Sequence, residues 1–338
     1  MKLSGIRAIG VIVTSLENRM ADYTRLVGVP SWSVSTLREE KAYINGRRTS
    51  VEYELACGQL APGLSIELIQ PCQDGSLFHT QLVDQGEGVV YLEVDGSAEA
   101  LTDLHVRLVD GGDTVSQQIG NQAWYDTRAD LGGWYLKSRM SDSEGQPDPA
   151  EPAETAWMRS RHLLHLGLVV DDVFRETGTY AEMLGVGQWD LYHWRAGEGS
   201  LNDPFFRGEP VEHQYLSATA SLGSTGLELV QPTQGPSDYV DFRDARGPGV
   251  HHLYLSETEE GRDEWPRLLE TLPDFGLQLS MGSSLLDGVA DFAYVDTAAR
   301  LGGLTIEIAA MRPGKTLSEF VPTCSLDLQS RVRTESAR

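Results

Sequence analysis

Cysteine is scarce in this chain: Cys57, Cys72 and Cys324 are the only three in 338 residues. They are too few and too scattered for a disulfide framework or a thiolate zinc site, so a reducing cytoplasm is the expected setting. Basic residues are also short, with 27 Lys and Arg against 50 Asp and Glu and a formal charge of -23. Phosphate recognition needs a basic surface, which argues against a nucleic-acid partner and against anionic membranes. No apolar run approaches bilayer length, and no charged-then-apolar leader precedes the strand-like Ile9-Gly10-Val11-Ile12-Val13. A soluble intracellular protein, long enough for two domains, is the expectation.

What the chain does have is repetition. Ala123-Trp124-Tyr125-Asp126-Thr127 is echoed by Ala293-Tyr294-Val295-Asp296-Thr297, and each is followed by a Leu-Gly-Gly. Ile66-Glu67-Leu68-Ile69-Gln70-Pro71 returns as Leu227-Glu228-Leu229-Val230-Gln231-Pro232, and Gly88-Val89-Val90-Tyr91-Leu92 as Gly249-Val250-His251-His252-Leu253. Such internal repeats govern the fold assignment. Residues 1–140 and 159–312 form the two expected domains. They are joined by a polar, proline-rich linker at 141–158 and followed by a poorly ordered or docking tail at 313–338.

The second half reads as strand, helix and three strands, twice over. A strand at Leu163–Val170 precedes a helix capped by Asp171-Asp172 and running to Leu184. Strands follow at Trp189–Trp194, His213–Ala220 and Gly226–Gln231. The order restarts with Val250–Ser256, a helix from about Gly261 to Leu272, and strands at Leu277–Met281, Asp291–Val295 and Leu304–Ala309. Period-two parity then sorts the side chains. Leu166, Leu168 and Val170 form one row, with His165 opposite. Leu227 and Leu229 leave Glu228 opposite; His251, Leu253 and Leu255 leave His252 and Tyr254; Leu304, Ile306 and Ile308 leave Thr305 and Glu307. The apolar rows are expected under helices, and the other faces inside a curved sheet.

These segments resemble the vicinal oxygen chelate superfamily. His165-Leu166-Gly167-Leu168-Val169-Val170 is similar to its opening strand. The stretches around Glu228, His252 and Glu307 are similar to later motifs of its methylmalonyl-CoA epimerase branch. The resemblance covers most of residues 160–310 and extends more weakly over 5–137. It implies an α+β fold of four βαβββ modules paired into two cupped-sheet domains. It also implies a divalent metal held by His165, Glu228, His252 and Glu307. The donor types suit Zn, Mn, Co, Ni or Fe(II). The matching first-half positions are Ala8, Glu67, Tyr91 and Lys137, which lack an imidazole, so that half is expected to be a structural or dimerisation unit.

Two enzymatic readings follow from the resemblance. One is an epimerase or isomerase working through an enediolate next to a ketone, on a small substrate with adjacent oxygens such as the cyclitol 2-epi-5-epi-valiolone. There Glu228 or Glu307 is the acid/base, and His213, Tyr215 or Tyr254 serves the opposite face. Ser217 stands where some methylmalonyl-CoA epimerases carry a catalytic glutamate, which counts against that substrate. The other reading is an Fe(II) extradiol ring-cleaving dioxygenase. A metal-free small-ligand binding protein is a third alternative. Ordinary explanations cover the remainder: His251 packs or supports, His162 is exposed, His193 has an undecided facing, and the aromatic residues are mostly core.

Overall fold

The computed structural model describes residues 3–112, 114–139, 150–258 and 264–329. Four βαβββ modules follow one another. The first comprises strand Leu3–Ile12, helix Leu16–Val27 and strands Trp32–Ile44, Arg47–Ala61 and Leu64–Pro71. The second comprises strand Gly88–Gly96, helix Ala98–Gly111 and strands Val115–Ile119, Gln122–Tyr125 and Tyr135–Arg139. The third has strand His162–Val169, helix Val173–Leu184 and strands Gln188–Arg195, Gln214–Leu222 and Thr225–Gln234. The fourth has strand Gly249–Ser256, helix Trp265–Thr271 and strands Leu279–Leu285, Ala290–Val295 and Thr305–Met311. Helices Leu77–Gln85 and Asp238–Arg246 connect the modules within each half.

Local chemistry sets the helix ends. Asp172 caps its helix by accepting from the backbone N–H groups of Phe174 and Arg175, and Gly185 closes it at φ 75°. Ser15 and Gly28 do the same in the first module. The helix expected from Gly261 is shorter, because Pro266 sits in its first turn and a 3-10 turn at Leu272–Phe275 completes it; residues 259–263 lie outside the described set.

Strand pairing explains where a site can form. In each half the opening strands of the two modules pair antiparallel, and each also pairs in parallel with the last strand of its own module. Four chemistry-bearing strands therefore lie side by side at the centre of each sheet. In the first half the sheet closes into a barrel through Tyr43↔Gln118 and Ile44↔Gln117. The second half is an open 11-stranded sheet, counting two additions at its ends. The hairpin Leu201–Phe206 with Glu209–Pro210 covers Leu279–Leu285, and Cys324–Asp327 of the tail pairs with Gln188–Leu191. Covered edges resist pairing with other chains.

The parity rows pack as their apolar character demands. Leu166, Leu168, Leu227, Leu229, Leu253, Leu255, Ile306 and Ile308 join the core beneath the helices, each worth roughly 1.5–3 kcal/mol on burial. The halves share that core and exchange reciprocal hydrogen bonds. Tyr23 donates to the Leu301 carbonyl at 2.9 Å, and Tyr180 to the Leu131 carbonyl at 3.0 Å. Residues expected as the end of an exposed linker are part of this junction: Trp157 and Met158 are fully buried, and the Trp157 indole donates to Leu268. Residues 141–149 of that segment, and 330–338 of the tail, lie outside the described residues.

Candidate metal centre

The central strands of the second half bring His165, Glu228, His252 and Glu307 together, with ligand atoms all within 4.8 Å of one another. His165 Nε2 lies 2.9 Å from Glu307 Oε2, 3.5 Å from Glu228 Oε2 and 3.3 Å from His252 Nε2. His252 Nε2 lies 3.1 Å from Glu307 Oε2 and 3.4 Å from Glu228 Oε2. Bonds of about 2.0–2.2 Å to a divalent ion place neighbouring donors about 2.9–3.5 Å apart. The donor spacing and the nitrogen–oxygen mixture fit a first-row divalent cation.

Gly167 makes room for this arrangement, since a Cβ there would overlap the His252 ring. Burial opposes charge on His252, but Glu228 and Glu307 outweigh it and bring its pKa up to about 9. Burial likewise raises the Glu307 carboxyl, and the imidazoles of His165 and His252 more than reverse that, holding it well below the carboxylate range. Two acids facing two imidazoles in a buried place are thus already arranged as a cation site.

The first half repeats the arrangement with the cation built in. Lys137 Nζ donates to Glu67 Oε2 at 2.8 Å, forms an ion pair with Glu93 Oε2 at 2.7 Å, and lies 4.7 Å above the Tyr91 ring. Tyr91 donates to Glu67, and Arg139 pairs with Glu93. Gly10 clears the Tyr91 ring as Gly167 clears His252. The Lys137 ammonium offsets the charge of both carboxylates.

A cavity of about 770 Å³ opens from His165, Glu228 and Glu307, with His252 buried behind them. Tyr192, Trp194 and Tyr215 form a stacked wall, with centroids 5.5 and 6.1 Å apart, and Phe292 and Tyr294 also line the space. Ser217 lines it too and accepts from the Trp194 indole at 3.0 Å. Lys315, Thr316, Leu317 and Phe320 of the tail complete the lining.

Of the proposed partners for the opposite face, Tyr215 and Tyr254 line the cavity, the latter with its ring 5.2 Å from that of His165. His213 does not. It precedes its strand, is buried against Tyr215 outside the lining, and among the described residues its ring nitrogens have no partner. His193 alternates with the lining residues Tyr192 and Trp194 and so faces away.

Sequence reasoning missed two residues. Tyr294 OH lies 3.4 Å from His252 Nε2 and 2.7 Å from Tyr239 OH. Burial, followed by the nearby carboxylates and phenols, holds both hydroxyls well above their ordinary pKa, so they stay protonated. Tyr294 pairs directly with Glu307, so strand register could have found it. Tyr239 sits on the connecting helix, where no sequence signal marks it.

No protein-family model and no curated protein matches the sequence. Among solved structures, the chain is similar to a triple mutant of 4-hydroxymandelate synthase from Streptomyces coelicolor, at 13% identity and TM-score 0.60, over 99% of each chain. The chain has the vicinal oxygen chelate fold. A second structure with this fold, 2,2',3-trihydroxybiphenyl 1,2-dioxygenase from Sphingomonas wittichii strain RW1, aligns at 14% identity and TM-score 0.51, over 97% of this chain and all of the other. Among the described residues no helix is long and apolar enough to cross a membrane.

Proposed function

We propose that the second half binds one divalent cation through His165, Glu228, His252 and Glu307 and is a metal-dependent isomerase or epimerase. It would move a proton on the carbon next to a ketone. The observation that carries this reading is the position of Glu228, 3.5 and 3.4 Å from the two imidazoles. Four protein donors leave a six-coordinate ion two open positions. That suits a carbonyl and a neighbouring hydroxyl, whereas a diol together with dioxygen would need three. When bound, the cation would polarise the carbonyl and offset negative charge developing on the substrate oxygens.

The chain's own residues supply the rest. Glu228 stands farther from the imidazoles than Glu307 does, and we assign it the proton transfer. Tyr294, neutral and held by Tyr239, is placed to donate a hydrogen bond to a substrate oxygen. The stacked aromatic wall favours a flat, uncharged ring over the polyhydroxy cyclitol suggested by the motifs. Among the described residues the lining holds one lysine, Lys315, which is paired with Glu319 and gives little welcome to phosphate groups.

A second reading has its own support: His165, His252 and Glu307 alone make a two-histidine, one-carboxylate set, and one protein of the same fold is a 2,2',3-trihydroxybiphenyl 1,2-dioxygenase. The test uses cation-loaded protein in D2O with aryl and cyclic α-hydroxy ketones. Metal-dependent deuterium uptake next to the ketone supports the isomerase. Absent exchange, combined with oxygen consumption by anaerobically prepared Fe(II) protein given catechols, rejects it in favour of the dioxygenase.

A further inference from the structure

His251 breaks the parity expected of its strand. Alternation with Leu253 and Leu255 would send its ring beneath the helices, but the ladder slips at this point. Val250 pairs with Leu168 and His252 with Gly167, so His251 is an extra residue with no opposite number. Such a bulge turns a side chain away from its regular direction. Here it carries the ring beside its neighbour: His251 Nδ1 lies 2.9 Å from His252 Nδ1. Both rings are buried, at 2% and 0% exposure. Phe242, Tyr239 and Tyr294 surround the His251 ring at centroid distances of 5.2, 5.4 and 5.5 Å and hold it there.

An imidazole that presents one nitrogen to a cation normally gives the proton on its other nitrogen to an acceptor, which sets both tautomer and ring angle. The usual acceptor is a carboxylate, a backbone carbonyl or water. We infer that His251 is the positioning residue of the metal centre: its Nδ1 lone pair accepts the Nδ1 proton of His252, leaving His252 Nε2 free to face Glu228 and Glu307. The proposal rests on the cation-binding reading above, but not on the reaction assigned to it.

The first half serves as an internal control. The same slip occurs there, where Gly10 pairs with Tyr91 and Val11 with Val89, so Val90 is the extra residue. The half with no imidazole at the ligand position has valine at the bulge, and the half with an imidazole has histidine. The bulge itself is therefore common to both sheets. What distinguishes the second is a side chain able to accept a hydrogen bond. A neutral ring also adds no third negative charge to a site that already holds two carboxylates.

The test combines variants with a direct reading of the protons. His251→Phe keeps the bulk and removes the acceptor. His251→Asn keeps an oxygen near the place of Nδ1, whereas His251→Gln moves it outward. Dissociation constants for Zn and Mn, measured by chelator competition, are expected to rise about 10- to 100-fold in the Phe and Gln variants and only a few-fold in the Asn variant. In Zn-loaded wild-type protein, nitrogen NMR should find His252 protonated on Nδ1 and His251 on Nε2, a reading that does not depend on any variant folding. The opposite tautomers, or a His251→Phe protein that binds cations as tightly as wild type, would overturn the proposal alone. A wild-type chain that takes up no cation would remove it together with the metal-site reading.

Discussion

Replacing Lys137 with Met should destabilise the protein without touching its chemistry. Lys137 is 3% exposed and is shared by Glu67 and Glu93, themselves nearly or fully buried. Methionine fills the space but strands the carboxylates, and loss of one partner from a buried ion cluster costs about 3–5 kcal/mol. With an unfolding entropy of about 2.1 cal/mol/K per residue, and the chain unfolding as one unit, the melting temperature should fall by about 4–7 °C. Arg139 keeps Glu93 partly compensated, so the lower end is the better figure. The pH dependence gives a second check. In the wild type, burial works to raise the Glu67 carboxyl, but Lys137 outweighs it and holds the pKa down, so this contribution is present above the ordinary carboxylate pKa and fades as pH falls through the lowered one. In the variant the stranded Glu67 carboxyl can take up a proton, so the deficit should shrink on acidification. Guanidinium denaturation and calorimetry at several pH values would measure both effects. A variant within about 1 kcal/mol of wild type, or one that also loses cation binding, would refute the view of Lys137 as a tethered substitute for metal.

Three further outcomes are expected. Gly167→Ala should push the His252 ring out of place and weaken cation binding by on the order of 100-fold while the circular dichroism stays native, as a chelator titration would report. His213 is held neutral by burial, its pKa pushed down to about 4. The unfolded chain takes up that proton first, so stability should drop by up to about 3 kcal/mol as pH falls from about 6.5 to 4; urea titrations of His213→Phe should show a flatter profile. Tyr23→Phe and Tyr180→Phe should each cost about 1 kcal/mol by removing one of the reciprocal hydrogen bonds between the halves, and equal stability of both variants with wild type would leave those bonds without a role.

Much of the site was legible because strand parity is a strong constraint. Once Leu166, Leu227, Leu253 and Ile306 are assigned to an apolar face, His165, Glu228, His252 and Glu307 are left on the other, and the repeat identifies which strands are central. The helix at Val173–Leu184 was equally plain from Asp172. What escaped did so for definite reasons. His251 sits at a slip in the ladder, where a period of two no longer applies. Tyr239 is the single buried residue of a helix otherwise rich in Asp and Arg, so no apolar stripe announces it. The hairpin at Leu201–Phe206 turns on positive φ at Arg207 and Gly208, and a further positive φ at Asp203 interrupts the strand; Arg207 does not advertise such a conformation. Whether each sheet closes rests on long-range pairing such as Tyr43 with Gln118, which no local pattern encodes. The tail's contribution of Leu317 and Phe320 to the cavity was hidden by their polar, irregular surroundings.

The central claim is that four side chains of the second half, and none of the first, hold a cation. Titrating Zn or Mn into chelator-stripped protein, with elemental analysis of the product, tests it most directly. One ion per chain is predicted for the wild type and for Glu67→Gln, and none for His252→Ala or Glu307→Ala. A wild-type protein that retains no ion, or a His252→Ala protein that still holds one, would contradict it.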